Sequence, residues 1–180
     1  MLKAHEKEDY NSNMNNQRRA PYNQTPSEFE EQIVQINRVS KKTKGGNKIG
    51  FTALAVVGDK KGRVGVGLGK APDVSSSIRK GIAYAKKHLI KVPLVNGTIP
   101  FRIDVKVGAA KIMLKPAPPG SGIIAGGAVR SVVAAAGIQN ISSKVLGTEN
   151  KANNVHATLE ALKQVSEQAE KKREREAANK

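Results

Sequence analysis

Arg38, Lys41, Lys42, Lys44 and Lys48 lie in one short run, Arg38-Val-Ser-Lys-Lys-Thr-Lys-Gly-Gly-Asn-Lys48, with no acid among them. Two adjacent glycines, Gly45 and Gly46, mark a chain reversal. The flanking segments alternate as strands do, so the run is expected to be a hairpin connection. Five cations crowded into one turn repel each other, and a polyanion relieves that repulsion. The phosphates of a nucleic-acid backbone are the matching chemistry, and such a turn could straddle them. The alternative is a solvated, highly charged turn.

Two glycine-rich stretches suggest other chemistry. Gly65-Val-Gly-Leu-Gly-Lys70 invites comparison with nucleotide-binding loops. A phosphate-cradling loop of that kind needs a glycine where Val64 stands and a hydroxyl where Ala71 stands. A dinucleotide fingerprint needs its glycines in the turn after a strand, whereas these alternate along one. Pro116-Ala-Pro-Pro-Gly-Ser-Gly-Ile-Ile-Ala-Gly-Gly127 feeds a helix N-terminus, a ready anion site. It resembles the phosphate loop of small-molecule kinases of the galactokinase and homoserine kinase type. Phosphoryl transfer needs carboxylates near that loop, and residues 96–165 contain only Asp104, Glu149 and Glu160. Asp104 lies between Arg102 and Lys106 on one strand face and is expected to balance them. His5, His88 and His156 are scattered and form neither a metal set nor an acid–base pair. No enzyme, cofactor, metal site or small-molecule substrate is expected.

The elements that position these residues follow from periodicity. Residues 1–27, rich in Asn and Gln, read as a disordered extension. Ser27-Glu-Phe-Glu30 is expected to cap a short helical turn. Ile33 to Val39 and Lys48 to Val57 read as strands, with Ile49, Phe51, Ala53, Ala55 and Val57 on one face. Gly58-Asp-Lys-Lys-Gly62 is a hairpin turn into a third strand, Arg63 to Lys70. The glycine face of that strand suits close approach by another backbone or a helix. A helix is expected from Asp73 to about Ile90, with Val74, Ile78, Ile82, Ala85 and Leu89 as its apolar stripe. Strands over Phe101–Val107 and Lys111–Lys115 follow, then a helix from Gly127 to Ala136 stopped by Gly137, a strand over Ile141–Leu146, and a last helix capped by Asn153 or Asn154. The fold class is α+β: a β-β-β-α domain over residues 28–91, a linker at 92–98, a β-β-α-β-α sandwich at 99–166, and a charged helical tail at 167–180.

The formal net charge is +16, a statement about partners rather than fold. Residues 29–95 carry a net +10 of it, while residues 1–28 are neutral, so the excess points to a binding face. There is no cysteine and hence no disulfide framework. The start of the chain lacks the apolar core of a secretory signal. The longest apolar stretch, Gly122 to Ile138, is interrupted by Arg130 and too short to span a bilayer, so no membrane association is expected. Aromatic residues make up 3% of the chain, too few for a base-stacking platform.

Asn37-Arg-Val-Ser-Lys-Lys-Thr-Lys-Gly-Gly46, Phe51-Thr-Ala-Leu54, Val56-Val-Gly-Asp59, Gly62-Arg-Val-Gly65, Gly67-Leu-Gly-Lys-Ala71 and Gly122-Ile-Ile-Ala-Gly-Gly-Ala128 occur in this order. Together they resemble the S-five family of bacterial small-subunit ribosomal proteins, from about Phe29 to Val165. The resemblance implies a first domain like a double-stranded-RNA-binding domain without its leading helix. It also implies a second domain that shares its architecture, not its activity, with the kinases. Ordinary duplex binders open their last helix with a lysine cluster. Here Asp73-Val-Ser-Ser-Ser stands instead, which shifts the burden onto the basic hairpin. By the family's pattern Arg38, Ser40, Lys41, Lys42, Lys44, Gly45, Gly46 and Lys48 would reach small-subunit ribosomal RNA, and Arg63 and Lys70 would serve near the path by which mRNA arrives. Gly120, Gly122, Gly126, Gly127 and Arg130 would lie at the contact with the neighbouring S-four protein, with S-eight a second protein partner. The implied role is structural and cytoplasmic: holding the head of the subunit against its body and influencing translational accuracy. A free-standing double-stranded-RNA-binding module is the alternative, and a kinase using the Pro116–Gly127 loop a remote one.

Overall fold

The computed structural model describes residues 28–178; the extension over residues 1–27 and the last two residues lie outside them. Eight strands and three helices form two four-stranded sheets, an α+β architecture. The first sheet has the order β1-β2-β3-β4, built from β1 (Glu30–Thr43), β2 (Gly46–Gly58), β3 (Arg63–Ala71) and β4 (Ile90–Lys91). Helix α1 (Val74–Lys87) connects β3 to β4. The second sheet has the order β5-β6-β8-β7, from β5 (Ile103–Val107), β6 (Ala110–Pro116), β7 (Ile123–Ile124) and β8 (Ile141–Val145). Helices α2 (Gly127–Ala136) and α3 (Lys151–Ala178) belong to this half.

Both faces of the first sheet are covered, which is why β2 from Ala53 to Gly58 is buried without interruption rather than alternating. On one face, α1 lies across β3. A Cβ added to Gly65, Gly67 or Gly69 would overlap backbone oxygens of Ala85, Gly81 and Ser77 respectively. The buried line of α1 is therefore Ser77, Gly81 and Ala85. Of the expected stripe only Ala85 is fully buried, while Val74, Ile78, Ile82 and Leu89 are half-buried, because helix and strand meet backbone to backbone. On the other face, Leu54, Val56, Val64 and Val66 join Val129, Val132 and Val133 of α2 and Leu162 of α3 in one buried cluster. One core thus spans both sheets.

Several expectations are corrected. Residues 28 and 29 form a bend leading into β1, not a helical turn, because Phe29 lies under Arg63 in a cation–π contact at 5.2 Å. Helix α1 stops at Lys87, with His88 as its C-cap, so that Ile90 and Lys91 can pair with Val64 and Arg63. The last helix begins a turn earlier than expected. Asn150 accepts the Ala152 N–H through Oδ1 at 3.0 Å, while Asn154 is buried and donates to the Thr148 carbonyl at 2.9 Å. The short strands β4 and β7 are additions. Residues 92–98 are pinned, since Val92 is buried and its N–H reaches the Gly62 carbonyl at 2.7 Å.

The end of α2 joins the two halves. Its last four carbonyls would be orphans in an isolated helix. Ile138 and Gly137 N–H groups satisfy Val133 and Ala134, and the N–H groups of Lys60 and Gly62, from the β2–β3 turn, satisfy Ala135 and Ala136. Gly137 takes φ +85° there, and a Cβ on it would strike the Lys60 backbone.

Candidate nucleic-acid interface

The basic run is not a loop. Strands β1 and β2 pair without a break from Arg38–Phe51 to Thr43–Gly46, so the turn proper is only Lys44-Gly45. Gly46 takes φ +116° where the chain reverses. Thr43 and Gly46 close the ribbon, the Thr43 hydroxyl donating to the Gly46 carbonyl at 2.7 Å. β-branched residues at Val39, Ile49 and Thr43 suit this extended pairing. Strand β3 stops its ladder at the Phe51–Ala71 rung. Beyond it the two strands project as a free ribbon for about 13 Å, at roughly 3.3 Å per residue from Gly50 to Gly46.

Register sorts the cations onto two faces. Lys41 and Lys48 are directly opposite each other. Side chains alternate along each strand, so these two share their face with Val39, Gly50 and, one strand further, Lys70. Arg38, Ser40 and Lys42 share the opposite face with Ile49 and Phe51. Every residue from Ser40 to Ile49 is exposed. Among the described residues none of the five ribbon cations meets a carboxylate.

The acids of this half are engaged elsewhere. Lys60 pairs with Glu30 at 2.9 Å, Lys86 with Glu31 at 2.7 Å, and Arg63 with Glu28 and Asp59, each at 2.6 Å. Asp73 caps α1 by accepting the Ser76 N–H at 3.1 Å. Asp59 also accepts the backbone N–H groups of Lys61 and Arg63. Burial pushes its carboxyl up, but the hydrogen bonds from Arg63 and these amides prevail and hold it below the ordinary aspartate value. The Arg63 guanidinium is raised by its hydrogen bonds to Asp59 and Glu28. Positive charge is thus concentrated, unneutralised, at one end of the sheet.

Of the sequence-based RNA candidates, the structure brings together Arg38, Ser40, Lys41, Lys42, Lys44, Gly45, Gly46, Lys48 and Lys70. Ser40, Lys41, Lys48 and Lys70 line one groove of about 380 Å³ with Val39, Ile49, Gly50, Ala71 and Pro72. Arg63 is not brought there. It sits at the far end of β3, opposite Lys91, with its guanidinium held by Asp59 and Glu28.

The second candidate set divides. Gly120 and Gly122 both give their N–H to Oδ1 of Asn140, at 3.0 and 3.1 Å, in a turn where both glycines have positive φ. Those amides are therefore turned into the protein rather than toward an anion. Asn140, buried and twenty residues away, has no local sequence signal, and only its place between Gly137 and β8 hints at such a role. Gly126 and Arg130 instead border a groove of about 450 Å³ with Ile123, Ile124, Ala125, Ser143, Lys144 and Val145. Gly127 opens α2 beside it. Arg130 donates to the Ile123 carbonyl at 2.9 Å, tying the start of α2 to β7. Asp104 accepts from Arg102 at 3.0 Å, one of the two cations it is expected to balance. His88 stacks on Tyr84 with centroids 4.1 Å apart. Among the described residues no helix is long and apolar enough to cross a membrane.

Comparison with known proteins gives concordant matches. Residues 29–93 match the family described as ribosomal protein S5, N-terminal domain, and residues 105–175 match ribosomal protein S5, C-terminal domain. The chain is 54% identical over 138 residues to the small ribosomal subunit protein uS5 of Thermotoga neapolitana, covering 77% of this chain and 78% of that one. It is 53% identical over 139 residues to the uS5 protein of Chloroflexus aurantiacus, with 77% and 78% covered. Against that of Acaryochloris marina it is 53% identical over 137 residues, with 76% and 77% covered.

Proposed function

The chain belongs to the ribosomal protein S5 family, and from that premise we propose that it is a structural constituent of the small ribosomal subunit which holds ribosomal RNA through the β1–β2 ribbon. The observation that carries the RNA contact is the charge segregation. Four cations project on a ribbon without acids and a fifth, Arg38, stands at its root, while the acids of the same half are engaged at the other end of the sheet or at the start of α1. Cations on both faces suit a ribbon lying between two phosphate runs, neutralising each and releasing counterions. The rigid core behind it lets one RNA region be held at fixed spacing from whatever binds the second half. That is the mechanical requirement for joining the head of the subunit to its body.

The groove bordered by Gly126 and Arg130 is the proposed contact with S-four, through which accuracy would be influenced. Contacts with S-eight and with arriving mRNA belong to the same reading, with Lys70 better placed than the ion-paired Arg63. The family is structural and non-enzymatic, and the inward-facing amides of Gly120 and Gly122 leave the kinase alternative without its phosphate cradle.

Two linked measurements test the reading. The tagged protein should comigrate with small subunits in a sucrose gradient and remain there in moderate salt; protein left at the top of both low- and high-salt gradients would sink it. Binding of purified protein to small-subunit ribosomal RNA should also weaken on Lys41→Ala or Lys42→Ala. The salt slope of log K should fall by about one ion for each, with the melting temperature unchanged. An unaltered slope in both variants would remove the ribbon as the electrostatic anchor.

A further inference from the structure

The groove at the root of the ribbon has features that phosphate neutralisation alone does not require. We propose that it is a binding site for a single unstacked nucleotide of the RNA, an inference that rests on the RNA-binding reading above. The ladder between β2 and β3 ends at Phe51–Ala71, and Pro72 turns the chain away into α1. Residues 47–50 of β2 therefore have no strand neighbour on that side. The resulting notch, about 380 Å³, has side walls and floor from Val39, Ile49, Ala71 and Pro72 and the bare backbone of Gly50.

Its polar groups are of one kind. Lys41, Lys48 and Lys70 come from one face of the sheet, Ser40 and Ile49 border the notch from the other face across the unpaired edge of β2, and no carboxylate lines it. A purely electrostatic clamp has no use for an apolar floor, and Ile49 remains 41% exposed. A purely apolar partner has no use for three lysines. An extruded nucleotide satisfies both. Its base lies against aliphatic side chains, its edge meets backbone groups of an unpaired strand, and its flanking phosphates meet the lysines. A Cβ at Gly50 would come to 3.4 Å from the Ala71 carbonyl, narrowing the floor from the β3 side. An acidic peptide would match the lysines but leave the apolar floor unexplained.

The test uses the full chain and two RNA hairpins of identical stem, one carrying a single bulged 2-aminopurine and one fully paired. The bulged hairpin should bind about fivefold tighter or more, the low end of what one seated base contributes, and the probe's fluorescence should change on binding. Ile49→Ser should abolish that preference and leave the salt slope intact; circular dichroism confirms that the variant is folded. Equal affinity for the two hairpins, or a preference that survives Ile49→Ser, would overturn the notch while leaving the ribbon's electrostatic role standing. Failure of both hairpins to bind, in protein that still binds small-subunit ribosomal RNA, would overturn the notch alone; failure on the ribosomal RNA as well would overturn the RNA reading and the notch with it. Displacement of the bulged hairpin by decaglutamate, at concentrations that spare the paired one, would reassign the notch to an acidic peptide.

Discussion

The two turns at opposite ends of β2 look alike in composition and behave as opposites. Lys44-Gly45-Gly46 and Asp59-Lys60-Lys61-Gly62 each combine lysines with glycine and each reverse the chain between antiparallel strands. The first projects into solvent, and nothing lies within 4 Å of a Cβ placed on Gly45 or Gly46. The second is built into the core: a Cβ on Gly58 would overlap the Ala135 backbone, and Lys60 and Gly62 close the end of α2. The decisive difference is one carboxylate. Asp59 gathers the Lys61 and Arg63 amides and the Arg63 side chain, converting a charged turn into a rigid plug. Lacking such an organiser, the ribbon tip keeps its charges available. Lysine and glycine therefore serve assembly at one end of a strand and leave charge unpaired at the other.

The largest effect should come from breaking the plug. Gly137→Ala would force a side chain into positive φ and against the Lys60 carbonyl, a cost on the order of 3 kcal/mol or more from backbone strain and overpacking together. Because one core spans both sheets, thermal unfolding followed by circular dichroism should remain a single transition at a lower midpoint. Two separated transitions would mean that the halves fold independently and that the seam is only a contact.

The two turns also differ in how far the sequence reveals them. The existence of β2 and β3, the glycine face of β3, the Gly127–Ala136 helix with its Gly137 stop and the Arg102–Asp104 pairing all rest on local rules, and all appear in the structure. The full length of the ribbon is hidden because lysines are poor strand formers. Their exposed, charged stretch resembles a loop until pairing with the neighbouring strand overrides propensity. Four long-range features carry no local signal. They are the trans-capping of α2 by Lys60 and Gly62, the acceptor role of Asn140, the Ser77-Gly81-Ala85 contact line and the engagement of Arg63 by Glu28. Each depends on a partner from another element, and net charge by segment cannot reveal which cations are already neutralised.

A smaller effect should follow from Asp59→Asn, which keeps the shape of the turn but removes the charge. Because the folded carboxyl is held below its ordinary value, its contribution is fully present above about pH 4, the unfolded aspartate range. It is lost as pH falls through the lower folded value. The variant should be less stable near neutrality by about 1–3 kcal/mol, the usual cost of losing a charge-assisted hydrogen bond. The gap to the parent protein should then close as the pH is lowered. Melting temperatures measured from about pH 7 down to about pH 3 check this. A gap constant across that range would mean that Asp59 acts through shape rather than charge.

The smallest effect is the most discriminating for the ribbon. A methyl group on the Cα of Gly45 would have no atom within 4 Å, and Gly45 has no positive φ, whereas its neighbour Gly46 takes φ +116°. Gly45→Ala should therefore leave the stability within about 0.5 kcal/mol of the parent, as surface substitutions generally do. Gly46→Ala should cost about 1–3 kcal/mol because the turn demands a left-handed residue. Any loss of RNA affinity in the folded Gly45→Ala protein would then report a backbone that must come closer to its ligand than a methyl group allows. Full affinity would show that the tip contributes charge and reach, and that close backbone approach is confined to the glycines of the core.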